Sequence, residues 1–485
     1  MRNITVLPDN ICFTAPDGGN LLSLLRDHNL APDAPCGGNG KCGKCKVFID
    51  GEEALACHTT INRNMTVTIP QRRELQVLQS GISTASSVSN GNGFSIAFDI
   101  GTTTVVCYLI NGSGEELSVC SMPNPQSSFG ADVVSRLRSA TGCGFAQQCT
   151  LIRQAMTKLI HRVCEDAAIR PEEIRIVSVV GNPAMQQIFL GIPIDNLVSV
   201  PFTPALTETG IIPCETILPI CPRADLLIIP NISGYVGADT LGCILSTELY
   251  QSEKPVLMVD IGTNGEMVLG SKARMVACST AAGPALEGAG IRFGMCAASG
   301  AIDHVWLEDG NIRYSIIGCG EAVGICGSGL IDAVAVALEL GLINKRGRIL
   351  DESRIIPITE QIFLTQDDIR QVQLAKGAIC AGIRLMMKHL GLQADDIFKV
   401  QLAGAFGSYL NPASACRIGL LPSELQNRIE VAGNAAGSGA KLLCTHRDML
   451  SLTDELVKKI EFLELASLST FPKTFAKAME FSSAV

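Results

Sequence analysis

The chain has 485 residues, 47% of them hydrophobic and 18% charged, with a formal net charge of −9. That length is too great for one core and suggests two to four domains of roughly 100–200 residues. The acidic balance, with no basic stripe to neutralise phosphates, argues against a nucleic-acid partner, and no window reaches the ~18 uncharged apolar residues of a bilayer span, so no membrane part is expected.

The N-terminus, "MRNITVLPDN", enters a β-like alternation at once with no apolar stretch behind its early arginine, so no export signal is read there. Of the 20 cysteines, four crowd into one loop and the rest are scattered singly through apolar segments such as "VVCYLI" and "AICAGI". There a thiol behaves as a small hydrophobe, which points to a reducing cytoplasm rather than a disulfide framework. Residues 1–70 predict strands "NITVL" and "ICFTAP", helix "LLSLLRDHNL", the cysteine loop, then strands "CKVFID", "EALACHT" and "MTVTIP", a β-grasp-like pattern. Residues 71–93 end in "SGISTASSVSNGNG" and read as a flexible linker. From Phe94 the pattern is strand–turn–helix throughout, with "SIAFDIGTTTVVCYLI" echoed about 160 residues later by "VLMVDIGTNGEMVLG". Such a duplication predicts two similar α/β lobes, about 94–255 and 256–452. The tail, 453–485, predicts two amphipathic helices, "DELVKKIEFLELASL" and "PKTFAKAMEF".

The loop spaces its cysteines as Cys36-x5-Cys42-x2-Cys45-x11-Cys57. A zinc ribbon usually presents two close pairs, and here there is one. Glycines in "GGNGKCG" permit the tight turns that wrap thiolates around one object and aim N–H groups at sulfur. A 2Fe-2S cluster is the expected object, with a structural zinc or unliganded thiols as alternatives. The loop resembles that of plant-type and related ferredoxins, whose first gap is usually one residue shorter. Lys41, Lys44 and Lys46 read as solvated charges that could also raise the cluster's potential or meet an acidic partner. His58 reads as a surface residue, and Cys12 and Trp306 as packing.

Phosphates bind where backbone N–H groups converge without bulky side chains, as in a tight strand–Gly-Thr–strand turn. An aspartate just before the turn can hold Mg2+, usually through water. Two such turns in register with a duplication point to a nucleotide clamped between lobes: Asp99 with Gly101, Thr102 and Thr103 as one jaw, Asp260 with Gly262, Thr263 and Asn264 as the other. Asp239, Asp132 and Glu287 are candidates for orienting the attacking water. Each also reads as a helix N-terminal acid, the preferred reading for Asp132.

"FDIGTTT" and "VDIGTNGE" resemble the two phosphate motifs of the superfamily of acetate and sugar kinases, heat-shock chaperones and actin. "VQLAGAFGSYL" (400–410) resembles its adenosine motif, which assigns Gly404, Ala405 and Gly407 to base and ribose. "VAGNAAGSGAKLL" (431–443) resembles its hinge helix, for which ordinary close helix packing is the alternative. A ferredoxin module fused to such an ATPase resembles the reductive activators of corrinoid proteins. The implied fold class is α/β: a β-grasp 2Fe-2S ferredoxin domain followed by a duplicated, RNase H-like, two-lobed ATPase. The implied activity is ATP-dependent transfer of an electron from the cluster to cob(II)alamin of a corrinoid protein, regenerating cob(I)alamin for methyl transfer. Its cofactors are the 2Fe-2S cluster, ATP/ADP and Mg2+; its partners are the corrinoid protein and an electron donor, and a homodimer is left open. Longer members carry an extra domain between cluster and ATPase that is absent here, and a different subgroup carries C-terminal cysteines, of which there is none after Cys444. The rival readings are a small-molecule kinase, a chaperone, a nucleotide-gated redox sensor and an activator of another low-potential metalloenzyme.

Overall fold

The computed structural model describes residues 1–8, 10–28, 30–32, 34, 38, 40, 43–70 and 93–481. Cys36, Cys42 and Lys41 lie outside these, as does the predicted linker apart from Gly93.

The N-terminal domain is a five-stranded sheet in the order Ile11–Ala15, Arg2–Leu7, Met65–Thr68, Lys46–Ile49, Glu52–Leu55. Its first and last strands in sequence, Arg2–Leu7 and Met65–Thr68, pair in parallel, as a β-grasp requires. The helix Leu21–Asp27 turns Leu21, Leu22 and Leu25 onto the sheet. Its cap, Asn20, accepts from Ser23 N at 3.2 Å and donates to Cys57 O at 2.9 Å, joining the helix to the last cysteine of the loop. Cys12 departs from the expected packing role: it sits exposed beside Thr5 Oγ1 at 3.6 Å on an edge strand that buries only Ala15 fully.

Two six-stranded sheets follow, built on one plan. The first runs Gly210–Pro213, Asp225–Ile228, Ile174–Gly181, Phe94–Ile100, Thr104–Ile110, Glu116–Pro123. The second runs Ile429–Gly433, Lys399–Ala403, Val256–Ile261, Gly265–Ser271, Arg274–Thr280, Ile460–Phe462. In each, the Asp-Ile-Gly-Thr strand sits centrally, antiparallel to its hairpin partner and parallel to a strand from later in the chain. Strands covered on both faces read as the unbroken apolar runs "IAF" and "VLMV".

The lobes exchange helices. Ala238–Ser246, the last helix of the first lobe, places Cys243 beside Asp260 of the second sheet, with Sγ 3.9 Å from Oδ2. Ala435–Thr445, from the second lobe, places Cys444 Sγ 3.4 Å from Ile96 O and Gly437 against Tyr108 of the first sheet. The two helices meet backbone to backbone: a Cβ at Gly439 would overlap Gly242, and one at Gly242 would lie 2.8 Å from Ala436 O. Small residues in "AAGSGA" therefore serve the joint between the lobes. Gly439→Ala is expected to destabilise the protein by about 1–3 kcal/mol through overpacking, seen as a lower calorimetric Tm.

The tail differs in part from expectation. One helix spans Asp448–Lys459, but Ile460–Phe462 then joins the second sheet in parallel with Met275–Ala277. The Ile-Glu-Phe alternation suits an edge strand once a sheet edge is there to receive it, and tertiary pairing overrides helical periodicity. The helix Phe471–Ala478 packs on Gln366–Leu390, where buried Lys376 donates to Glu480 O and Gln373 Nε2 to Met479 O at 3.1 Å. Trp306 lies on a small three-stranded sheet and is 42% exposed, so it is no core residue. Among the described residues, no helix is long and apolar enough to cross a membrane.

Candidate functional site

The two predicted hairpins face each other across the cleft between the lobes. Each turn closes on itself: Gly101 N donates to Thr104 O, and Gly262 N to Asn264 O, both at 2.9 Å. Asp99 is paired in register with Val106 and Val180, and Asp260 with Glu266 and Ala403. A cavity of about 230 Å3 lies between them, lined by both hairpins together with Asp239, Glu266, Glu287 and Asn434. That is smaller than the ~300–1,000 Å3 usual for a small-molecule site.

The cavity is acidic, and its carboxylates are buried. Asp99 Oδ2 accepts from Asn434 Nδ2 at 3.0 Å, but burial and the charge of Asp239 push its carboxyl up to about 7. Burial, Asp239 and Asp99 push Asp260 up to about 7 as well. Asp239, in the first turn of Ala238–Ser246, accepts from Thr240 N at 2.7 Å. Backbone N–H groups therefore offset part of its burial, and it rises to about 6. Burial, with Asp239 and Asp260 nearby, raises Glu266 as well. A set of buried carboxylates that repel one another fits a divalent cation. Among the described residues no three acidic, His or Cys groups converge to bind one directly.

Glu287 bridges the hairpins. Its Oε2 accepts from Thr103 Oγ1 at 2.9 Å and from Thr263 Oγ1 at 2.8 Å. Burial raises its carboxyl, while these hydroxyls and the charge of Arg136 act against that rise. Arg136 is itself buried and brought down to about 10 by desolvation; it donates to Thr102 O and, at 2.9 Å, to Gly130 O. Thr102 Oγ1 also accepts from Asn182 Nδ2 at 3.4 Å.

The other candidates are placed as follows. Gly404, at φ +82°, passes directly against Asp260, where any Cβ would overlap its carboxylate. Ala405 lies in the first turn of the helix Gly404–Tyr409. From the same helix Phe406 and Tyr409 reach the cavity, whereas the α-carbon of Gly407 faces Leu402 of its own segment. Asp132 caps the helix Val133–Ser139, accepting from Ser135 N at 2.8 Å and Ser135 Oγ at 2.6 Å, which is the N-terminal acid reading. Sequence reasoning missed Glu266, although it ends the quoted "DIGTNGE" and sits opposite Asp260 across a three-residue turn. Arg136 and Asn434 were missed too, and only the fold brings them to the cleft.

In the N-terminal domain, Cys45 is buried and Cys57 half-buried. Ala56 N donates to Cys45 O at 2.9 Å just beyond the open end of the hairpin Lys46–Ile49/Glu52–Leu55, and Cys57 follows in the turn Ala56–His58. Gly38, Gly40 and Gly43 hold φ of +94°, +73° and +64°, which lets the loop coil tightly. His58 is exposed and lies over Gly40. Two cysteines set close together at the end of this hairpin, beside glycines at positive φ, fit one end of an iron–sulfur cluster site.

A duplicated two-lobed domain with exchanged helices and paired Asp-Ile-Gly-Thr hairpins defines a nucleotide-dependent ATPase of the acetate and sugar kinase, heat-shock and actin class. Fused to it is a ferredoxin-like domain. Residues 4–64 match the 2Fe-2S iron-sulfur cluster binding domain, residues 94–252 the RACo middle region, and residues 254–484 the C-terminal domain of RACo, the ASKHA domain. The corrinoid activation enzyme RamQ of Eubacterium limosum is 36% identical over 416 residues, covering 79% of this chain and 69% of that protein. The [Co(II) methylated amine-specific corrinoid protein] reductase of Methanosarcina barkeri is 28% identical over 414 residues, covering 78% and 75%. The solved structure of a reductive activator for corrinoid, iron-sulfur protein superposes with a TM-score of 0.73 at 28% identity, covering 99% of this chain and 98% of that one. The chain belongs to the family of corrinoid activation enzymes.

Proposed function

We propose that this protein is an ATP-dependent reductive activator that returns the cob(II)alamin of a corrinoid protein to cob(I)alamin for methyl transfer. The observation that carries the reading is the joining, in one chain, of a cysteine loop suited to a 2Fe-2S cluster with a two-jawed carboxylate cleft suited to Mg-ATP. Cys36, Cys42, Cys45 and Cys57 hold the cluster, which when bound supplies a one-electron reductant charged by an external donor. Asp99 and Asp260 would hold a hydrated Mg2+, the turns Gly101–Thr103 and Gly262–Asn264 would take the phosphates through N–H groups not already bonded within the turn, and Gly404 with Ala405 and Phe406 would flank the nucleoside. Asp239 orients the attacking water.

Nucleotide can act on such a transfer only through coupling free energy. A coupling of ~3 kcal/mol moves a one-electron potential by only about 130 mV. ATP therefore acts mainly on the complex, through lobe closure that alters partner binding and release on hydrolysis.

The reading is tested by phosphate release. Hydrolysis of Mg-ATP should rise when a Co(II) corrinoid protein is added and stay unchanged with a 2-hydroxyacyl-CoA dehydratase. The opposite selectivity would make the protein an activator of another low-potential metalloenzyme. Binding of ATP with negligible turnover beside either partner would make it a redox sensor.

A further inference from the structure

The ferredoxin-like domain stands on both lobes at once. On the first lobe, Gln147 Nε2 donates to Asp27 Oδ1 at 2.9 Å, and the Arg26 guanidinium lies 5.4 Å from the Phe129 ring centroid. On the second, Lys44 of the cluster loop donates from Nζ to Gly294 O at 3.3 Å. Each foothold is tied to a phosphate hairpin. Phe129 ends the one-turn helix Pro125–Phe129, whose cap Asn124 donates from N to Thr103 O and from Nδ2 to Gly101 O, both at 2.8 Å. The backbone at Gly294 and Met295 is packed on Gly288, where a Cβ would lie 2.5 Å from both Met295 N and Met295 O. Cys296 Sγ also reaches Glu287 O at 3.8 Å. The circuit closes at Glu287, whose single oxygen Oε2 takes the hydroxyls of Thr103 and Thr263.

We propose that Glu287 is a positioning residue that reports occupancy of the cleft to the cluster loop: its bridge to Thr103 and Thr263 holds the ferredoxin-like domain docked, and phosphates that recruit those hydroxyls release it. This rests on reading the cleft as a nucleotide site. A buried carboxylate stripped of both donors is unfavourable where it stands and must move, or turn wholly to Arg136. Movement of Glu287 carries the Gly288–Gly294 turn with it, so Lys44 loses its acceptor. The docked arrangement keeps the cluster loop against the second lobe, and the released one frees it to meet an electron donor or acceptor. The coupling thus has a two-state element that both sites bias, which a mere chain of contacts would lack.

Amine acetylation of the full-length protein, read peptide by peptide by mass spectrometry, tests this without any corrinoid partner. Lys46, which pairs with Glu53 at 2.8 Å inside its own domain, is the internal control. Saturation with a non-hydrolysable Mg-ATP analogue should speed Lys44 acetylation roughly threefold or more, the scale of one net hydrogen bond, and leave Lys46 unchanged. Glu287→Gln keeps an acceptor for both threonines and should keep the response even where hydrolysis falls. Glu287→Ala should show the fast Lys44 rate with and without the analogue. An unchanged Lys44 rate in the native protein with the analogue bound by calorimetry, or a native-like response in Glu287→Ala, would overturn the inference and leave the proposed function standing. An analogue that does not bind at all overturns the nucleotide reading, and this inference with it.

Discussion

Asp260→Asn is expected to stabilise the metal-free protein above neutral pH while abolishing its nucleotide chemistry. Asp260 is held at about 7 by burial and by the charges of Asp239 and Asp99, against about 3.9 in an unfolded chain. Between those values the folded protein keeps a proton that the unfolded chain has released. The contribution of the group to stability is therefore present below about pH 4 and is lost as pH rises to about 7. Asparagine cannot ionise, so the variant escapes that loss. Its calorimetric Tm without divalent ions should exceed the native value by several degrees at pH 8 and match it at pH 4 to 5. The same substitution removes a carboxylate from the metal's water shell, and ATP hydrolysis should fall by roughly 10²–10³-fold, the scale of one lost electrostatic group at a reacting centre. Mg-ATP should raise the native Tm at pH 8 and leave that of Asp260→Asn nearly unmoved. A variant that is less stable at pH 8, or that hydrolyses ATP at the native rate, would remove Asp260 from the account.

Cys45→Ser should separate the two halves of the molecule. Cys45 is 1% exposed and belongs to the core of the N-terminal domain, so its thiol is shielded from solvent. Serine is a poor ligand for iron, and the variant should lose bound iron, acid-labile sulfide and visible absorption. Electron delivery to cobalt should fall to background. Nucleotide binding should stay within a few-fold of native, since the carboxylate cleft is built entirely from residues beyond Gly93. A variant that retains a full complement of iron would take Cys45 out of the ligand set.

These two tests address what local sequence chemistry already exposed. A cysteine loop with its glycines, and an apolar strand ending in Asp-Ile-Gly-Thr, are local patterns, so Asp99, Asp260, Cys45 and Cys57 could be picked out as candidates from spacing, and the two-lobed plan from the echo between the hairpins. What joins these parts was not legible. Thr103 and Glu287 are 184 residues apart, and Lys44 and Gly294 are 250 apart. Neither contact has a periodicity or motif of its own. The same holds for Asn434, whose cap to the helix Ala435–Thr445 doubles as the partner of Asp99 only because the lobes exchange helices. Ile460–Phe462 read as helix because its strand partner, Met275–Ala277, lies far back in the chain. Cys12 and Trp306 read as core because isolated apolar residues usually are, and the edge strand and small outer sheet that expose them are matters of topology.

The proposed activity is the coupling of Mg-ATP to the reduction of cobalt within one chain. It is tested most directly under anaerobic conditions, by mixing the reduced protein with a corrinoid protein in the Co(II) state and following the Co(I) absorption band with and without Mg-ATP. The account predicts a Co(I) band that requires Mg-ATP and is lost in both Cys45→Ser and Asp260→Asn. A band that forms equally well without nucleotide, or none at all from protein with an intact cluster and bound ATP, would contradict it.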